Sequence, residues 1–379
     1  MTGSTLLTAM STKKTVVEID LEAIMHNLSL IKEMIGKDRK ILLPVKADGY
    51  GHGAIQVARA AEKNRLADIF GVSSPEEGIE LREAGIYHPI LILGLVLPCQ
   101  EAIDNVVNYD FSQTVADMEL SRKISETAGG KMKKAKLHLK IDTGMGRIGC
   151  RADEAVDLAK KISELENIEL EGVFSHFPAA DEPDSDFTRN QIKIFEDIIK
   201  KIEKTGTGIK YRHMANSAAI FNYKGSIFNL ARPGIAAYGY RPSRDFNSAI
   251  GLVPAMTFKS YIIFRKRVKT GTPLSYGLTY KTERDSNIAT VPVGYGDGYN
   301  RLLSNRGSVI IRDKMYPVVG RVCMDQILVN LGDDEYPIGE EVVLFGKKDV
   351  TVETVAETIG TIPYEVTCAI SKRVRRVYK

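Results

Sequence analysis

Two hydrophobic periods divide the chain. Over its first two-thirds, short apolar runs recur: "ILLPVK", "IFGVSS", "PILILG", "FSQTV", "KLHLKID", "LEGVFSHF", "YRHMANS" and "NLARPGI". Between most of them apolar residues return at helical spacing, as in "GAIQVARAAEKN", "PEEGIELREAG", "ADEAVDLAKKISEL" and "TRNQIKIFEDIIKKIEKTG". Strands separated by helical crossovers pair in parallel, and eight such units predict a (β/α)8 TIM-type barrel rather than an open sheet. Ahead of them, "TVVEID" predicts a short strand and "LEAIMHNLSLIKEMI" an amphipathic helix with Asp20 as its N-cap. Near residue 245 the period becomes that of strands, in "TFKSYIIFRKRV", "NIATVPVGYG", "SVIIRDKMYPVVGRV", "QILVNL" and "EEVVLFG". One late helix, "TVETVAETIG", interrupts them. The pattern predicts an α/β barrel at 21–246, a mainly β C-terminal domain at 247–379 and a flexible N-terminal tail at 1–12.

Composition narrows the function classes. A chain of 379 residues accommodates two domains, and its 44% hydrophobic and 26% charged residues are those of an ordinary soluble protein. Fifty-two basic against 48 acidic residues leave a net charge of +4, too small at this length to predict a nucleic-acid partner. The basic tail "SKRVRRVYK" reads as a solvated helix end. Cys99, Cys150, Cys323 and Cys368 lie far apart, without metal-ligand spacing, and read as thiols of a reducing cytosol. No run approaches the ~18 apolar residues of a membrane span, and "MTGSTLLTAMSTKK" lacks the apolar core of a signal peptide. A cytoplasmic protein is expected, with no membrane partner.

The chemistry collects at the strand ends, where barrel enzymes carry their active sites. In order, these ends present Lys46, Arg147, His176, Asn216 with Ser217, and Arg232 with Gly234 and Ile235. Lys46, taken alone, fits a snorkelling rim lysine. It also fits an amine kept partly out of water, whose lowered pKa leaves a nucleophile able to form an imine with a carbonyl. The carbonyl that suits it is pyridoxal phosphate, which needs such a lysine, a partner for its ring nitrogen and a phosphate cradle. Ser217 and the amides around Gly234 and Ile235 lie where barrels bind phosphate, and Arg232 stands beside them. A competing motif, "GMGRIG", matches a dinucleotide fingerprint. It follows the fifth strand rather than opening the first βαβ unit, and "KIDT" puts charge where the preceding strand is usually apolar. No Walker A motif, zinc pattern or nucleophile elbow occurs, and no metal is expected.

The ordered motifs "VKADGYGHG", "LKIDTGMGRIG", "FSHF…ADE", "ANSAA", "RPGIAAYG", "SYGLTY", "VGYGDGYNR", "GRVCMDQ" and "PYEV" resemble the alanine racemase family along almost the whole chain. The resemblance implies a (β/α)8 barrel followed by a β domain that residues 13–20 join. It implies pyridoxal 5'-phosphate as cofactor and a homodimer with shared active sites. Lys46 resembles the lysine that bonds the cofactor and serves as one of two catalytic bases. Tyr276 resembles the opposing base, supplied by the partner subunit. Arg232 resembles the arginine facing the pyridine nitrogen, and Tyr50, Ser217, Gly234, Ile235 and Tyr364 the phosphate cradle. Arg147 resembles the contact to ring hydroxyl and substrate carboxylate, with the Met324 amide helping from across the dimer. Lys140 matches a lysine that is often carbamylated. Asp181, Arg301, Arg321 and Ile362 match positions lining the access channel.

Physical chemistry supports these implied roles. Racemisation removes a proton from one face of Cα and returns one to the other, so a rigid site does best with two bases. A phenol, with a pKa of ~10, needs nearby cations to act as a base at neutral pH, and His176 and Arg232 are the expected sources. Serine or basic-amino-acid racemases, which differ in pocket size, stay open as alternatives. A barrel-type decarboxylase would present an acid to the ring nitrogen; Arg232 stands there instead. Departures from the family pattern are mild: Ser175 stands where threonine is frequent, and "RVRRVY" lacks a proline often found there.

Overall fold

The computed structural model describes residues 15–242, 251–346 and 349–379. The tail expected at 1–12 and the boundary expected at 246/247 lie outside the described residues. The chain divides into two compact units: one is Ile24–Val253, and the other joins Pro254–Lys379 to the described residues ahead of Ile24.

The first unit is the barrel. Its eight parallel strands are β1 (Lys40–Pro44), β2 (Ile69–Val72), β3 (Ile90–Ile92), β4 (Ser112–Val115), β5 (Ala135–Asp142), β6 (Ile168–Phe174), β7 (Tyr211–His213) and β8 (Leu230–Ala231). From β1 to β7 neighbours pair in sequence order, and β8 returns to β1 through Leu230 opposite Lys40 and Ala231 opposite Ile41. On its other side the Arg232 N–H donates to the Ala215 carbonyl at 2.9 Å, drawing the end of β8 to that of β7. The strands are almost wholly buried, as parallel strands covered on both faces must be. Leu42, Ile69, Leu91, Tyr211 and Leu230, from five different strands, form one apolar layer of the interior. Helices connect the strands. The helix Leu21–Ile35, ahead of β1, is capped as expected by Asp20, whose carboxylate accepts the Ala23 N–H at 2.9 Å.

The second unit is a nine-stranded sheet. Val16–Ile19 lies inside it, antiparallel to Met256–Tyr261 and parallel to Arg375–Tyr378. The C-terminal residues are therefore a strand, not the solvated helix end their charge predicted. Backbone pairing to Val16–Ile19 fixes them, while the Arg376 guanidinium spends its donors on the carbonyls of Ile370, Ser371 and Val374. Two late helices stand where one was expected. Val352–Ile359 is capped by Thr351, and Pro363–Cys368 begins on proline, which suits a first helical turn. Among the described residues no helix is long and apolar enough to cross a membrane. Cys99, Cys150 and Cys323 are free thiols, and burial pushes Cys150 up to about 12.

Candidate active site at the barrel mouth

β1 ends at Pro44, and Lys46 opens the turn that follows it. That turn is left-handed: φ is +52° at Ala47, +53° at Asp48, +61° at Gly49 and +55° at Tyr50. Such a conformation costs roughly 1–2 kcal/mol per non-glycine residue. Side chains hold it in place. Glu77 Oε1 accepts the Ala47 N–H at 2.8 Å while its Oε2 binds the Ser73 N–H at 2.7 Å. Asp48 Oδ1 accepts the Ala54 N–H at 3.0 Å. The turn delivers a buried Tyr50, packed against Tyr238 with ring centroids 5.1 Å apart.

Tyr50 reaches the loop after β8. A methyl group added to Gly234 would sit 3.1 Å from the Tyr50 hydroxyl and 3.6 Å from Ser217 Oγ. Two hydroxyls thus face bare backbone, followed by the buried Ile235 at the start of a 3-10 turn. Ser217 Oγ accepts the Ala236 N–H at 3.2 Å, and Asn216 Oδ1 accepts the Ala219 N–H at 3.0 Å. This cradle of hydroxyls and amides around an absent Cβ fits a phosphate, and the half-buried Lys46 on the neighbouring strand end fits an aldehyde-bonding amine.

Arg232 is 4% exposed. Its guanidinium donates to the carbonyls of Ser175 and Met214, both at 2.8 Å, and meets His213 Nδ1 at 2.8 Å and His176 Nδ1 at 3.1 Å. Burial lowers it to about 9, still well above neutrality. His176 lies two residues beyond β6 and is held well below 6.5 by burial and by the charges of Arg232, Lys140, Arg147 and Lys46. It is a neutral imidazole, so it supplies none of the positive charge expected of it. The same influences show that Lys46, Lys140, Arg147, His176 and Arg232 converge. Lys140 is 3% exposed, its Nζ 4.3 Å from the centre of the Phe174 ring. Burial, Arg232 and Arg147 push its amine well below 10.5 against the opposing pull of Asp142.

The glycine motif has a local explanation. Burial disfavours the Asp142 carboxylate's charge, but N–H donation from Gly144, Gly146 and Met145, at 2.8–2.9 Å, holds it below the usual range. The loop's amides are spent on its own strand rather than offered to a pyrophosphate. Arg147 extends from this loop, exposed, and Asp181 is half-buried in the loop after His176.

The remaining expected residues belong to the second unit. Tyr276, 71% exposed, tips a hairpin between Pro273–Leu274 and Tyr280–Lys281. Ser275 before it donates to the Arg321 carbonyl at 2.7 Å, which ties the hairpin to the loop carrying Arg321 and the exposed Met324. Arg301, exposed, opens a 3-10 turn. Ile362, exposed, and Tyr364, half-buried, lie at the start of the helix Pro363–Cys368.

Sequence reading passed over His138, His213, Glu171 and Glu77. His138, Lys140 and Asp142 share one face of β5 by the period of two, so a polar inward face was available as a signal. Glu77 had none, being one acid among several in a helical first turn.

Two sequence models match the chain: "Alanine racemase, N-terminal domain" over residues 19–242 and "Alanine racemase, C-terminal domain" over 255–378. "Alanine racemase 2" of Caldanaerobacter subterraneus subsp. tengcongensis is 45% identical over 97% of this chain and 95% of its own length. The alanine racemase of Halothermothrix orenii is 44% identical over 97% of each. Among solved structures, that of alanine racemase from Clostridium difficile 630 superposes with a TM-score of 0.92 at 42% identity, covering 97% of this chain and 96% of that one. The Bacillus anthracis enzyme with bound L-Ala-P gives 0.89 at 36% identity, over 97% and 95%.

Proposed function

The chain belongs to the alanine racemase family, and from that premise we propose that it interconverts L- and D-alanine using pyridoxal 5'-phosphate bound at the barrel mouth. The observation that carries this reading is the meeting of the Tyr50 and Ser217 hydroxyls over the bare Cα of Gly234, beside the buried Arg232. When bound, the cofactor supplies the conjugated electron sink that makes an amino acid's Cα proton removable.

The chain's own residues would do the rest. Lys46 would bond the cofactor's aldehyde carbon and would take or return the Cα proton on one face. Tyr276 of the partner subunit does so on the other, because a single base would return the proton to the face it left. Arg232 keeps its protons at neutral pH and would face the ring nitrogen as a donor that gives up no proton. Such a partner would limit side reactions such as transamination. With His176 neutral, Arg232 is the one of that pair that carries positive charge at neutral pH. Asn216, Ile235 and Tyr364 complete the cofactor's surroundings. Arg147 and the partner's Met324 amide would hold the substrate carboxylate, and Asp181, Arg301, Arg321 and Ile362 would line the way in.

A homodimer is part of the reading: Tyr276, Leu278, Met324 and Ile362 all expose apolar surface in the second unit, as a shared site would use. The reading further assigns the enzyme to the cytoplasm, supplying D-alanine for peptidoglycan. The test is exchange of the α-proton with solvent across a panel of amino acids. Alanine should exchange; silence on alanine with turnover of serine or a basic amino acid overturns the substrate assignment. Lys46→Ala should abolish the visible absorbance of the loaded enzyme, and Tyr276→Phe should impair the two directions unequally.

A further inference from the structure

Beneath Arg232 a file of buried polar groups runs down the barrel interior. His213 Nε2 is 3.0 Å from His138 Nδ1, and His138 Nε2 is 3.4 Å from Glu171 Oε2. Glu171 also accepts from Ser112 Oγ at 3.0 Å and Lys210 Nζ at 3.2 Å. All but Lys210 are buried among apolar strands. The racemisation proposed above uses neither His138, nor His213, nor Glu171.

Donor and acceptor capacity gives this file a direction. An arginine only donates, so the 2.8 Å contact makes His213 Nδ1 an acceptor. A neutral His213 then carries its proton on Nε2 and donates to His138 Nδ1. His138 in turn carries its proton on Nε2, the nitrogen that lies 3.4 Å from Glu171 Oε2, a charge contact outside hydrogen-bond geometry. The opposite direction would set an N–H of His213 against the guanidinium at one end and turn a bare nitrogen toward the carboxylate at the other. The Arg232 end therefore sets the order of tautomers, and the charge of Glu171 beside His138 Nε2 favours the same order.

The surroundings are shaped to this order. The His213 ring stacks on Phe174 at 4.6 Å with an interplanar angle of 4°, and His138 stacks on Tyr211 at 5.8 Å. A methyl group on Gly172 would lie 2.4 Å from His138 Nδ1, so the bare glycine on β6 is what admits the ring. Burial and the nearby cations Arg232 and Lys140 keep His213 well below 6.5, and burial keeps His138 below it against the pull of Glu171. Both imidazoles are neutral, as a directed chain requires.

We propose that His213, His138 and Glu171 are positioning residues for Arg232: the hydrogen-bonded pair His213–His138, with the Glu171 carboxylate 3.4 Å beyond it, holds His213 Nδ1 as an acceptor and so sets the guanidinium's orientation. That the guanidinium faces a cofactor ring nitrogen rests on the function proposed above; the chain's direction does not. The test is nitrogen-15 NMR of the histidine side chains in the cofactor-loaded enzyme, with signals assigned through His138→Gln and His213→Gln. His138 and His213 should both be neutral Nε2–H tautomers at neutral pH. An Nδ1–H tautomer or an imidazolium at either overturns the proposal, whether or not the cofactor reading stands. Failure of the wild-type enzyme to absorb in the visible would defeat that reading alone.

A second arm separates positioning from packing. Glu171→Leu removes the acceptor and should bring up the Nδ1–H signal of His138, with a loss of kcat and little change in KM. Glu171→Gln keeps a carbonyl acceptor and should restore the single tautomer and most of kcat. If both variants keep the wild-type tautomers and differ only in melting temperature, Glu171 merely packs and its part in the proposal fails. Should Glu171→Leu not fold, the wild-type tautomers still decide the direction.

Discussion

Lys140 shows how burial turns an ordinary side chain into a reactive one. Its amine is buried with Arg232 and Arg147 as like-charged neighbours, which together push it well below the usual lysine value. A neutral amine adds to carbon dioxide: a nitrogen–carbon bond forms, a proton leaves, and a carbamate anion replaces a suppressed cation. That change converts the repulsion with Arg147 into attraction, which would steady the exposed arginine at the site. Enzyme equilibrated with carbon-13 bicarbonate should therefore show a carbamate carbon signal that Lys140→Ala lacks. A spectrum without that signal in the wild type would leave Lys140 an unmodified amine packed on an aromatic ring. Asp142, on the same face of β5, shows the converse: three backbone N–H groups keep its charge despite burial.

At the level of elements, β5 and β6 illustrate how a strand can be polar inside and still belong to a core. Gly172 on β6 leaves space for His138 on β5, and no larger residue fits without moving the ring. Gly172→Ala should destabilise the fold by about 1–3 kcal/mol, the cost of overpacking a close-packed interior. Urea denaturation should read this as a lower midpoint at an unchanged slope. The apolar runs that announced the barrel strands were legible because parallel strands are buried on both faces. Lys46, Ser217, Arg232 and Gly234 were legible because strand ends in a barrel define a location. What stayed hidden had no local signal. Arg375–Tyr378 is charged and becomes a strand only by pairing with Val16–Ile19, more than 350 residues away in sequence. The glycines of "ADGYGHG" announced a tight turn, yet its left-handed run also includes Ala47, Asp48 and Tyr50, held by the distant Glu77. The histidine file depends on which residues face inward together, a property of the closed barrel rather than of any one strand.

For the whole molecule these buried groups set the response to acid. His138, His176 and His213 all have folded-state pKa values below 6.5, chiefly because burial disfavours the imidazolium. Once unfolded, each regains an ordinary pKa near ~6.5, so below that pH the unfolded chain binds more protons than the folded one. Stability must then rise with pH through this window and fall as the solution is acidified below it. Each histidine contributes a slope approaching about 1.4 kcal/mol per pH unit while it is protonated only in the unfolded chain, so the three together approach about 4. Glu171 adds a second, lower window. Burial opposes its charge, but His138, Lys210 and Ser112 hold it at about 2 against an ordinary value of 4.5, so its contribution fades as pH falls from the one toward the other. Urea midpoints measured at pH 7, 6 and 5 should stay nearly level down to about 6.5 and then drop steeply. His176→Gln should flatten the drop by about a third, since it removes one of the three titrating rings. A midpoint that stays level to pH 5 would mean that these imidazoles take up protons inside the barrel as readily as in water.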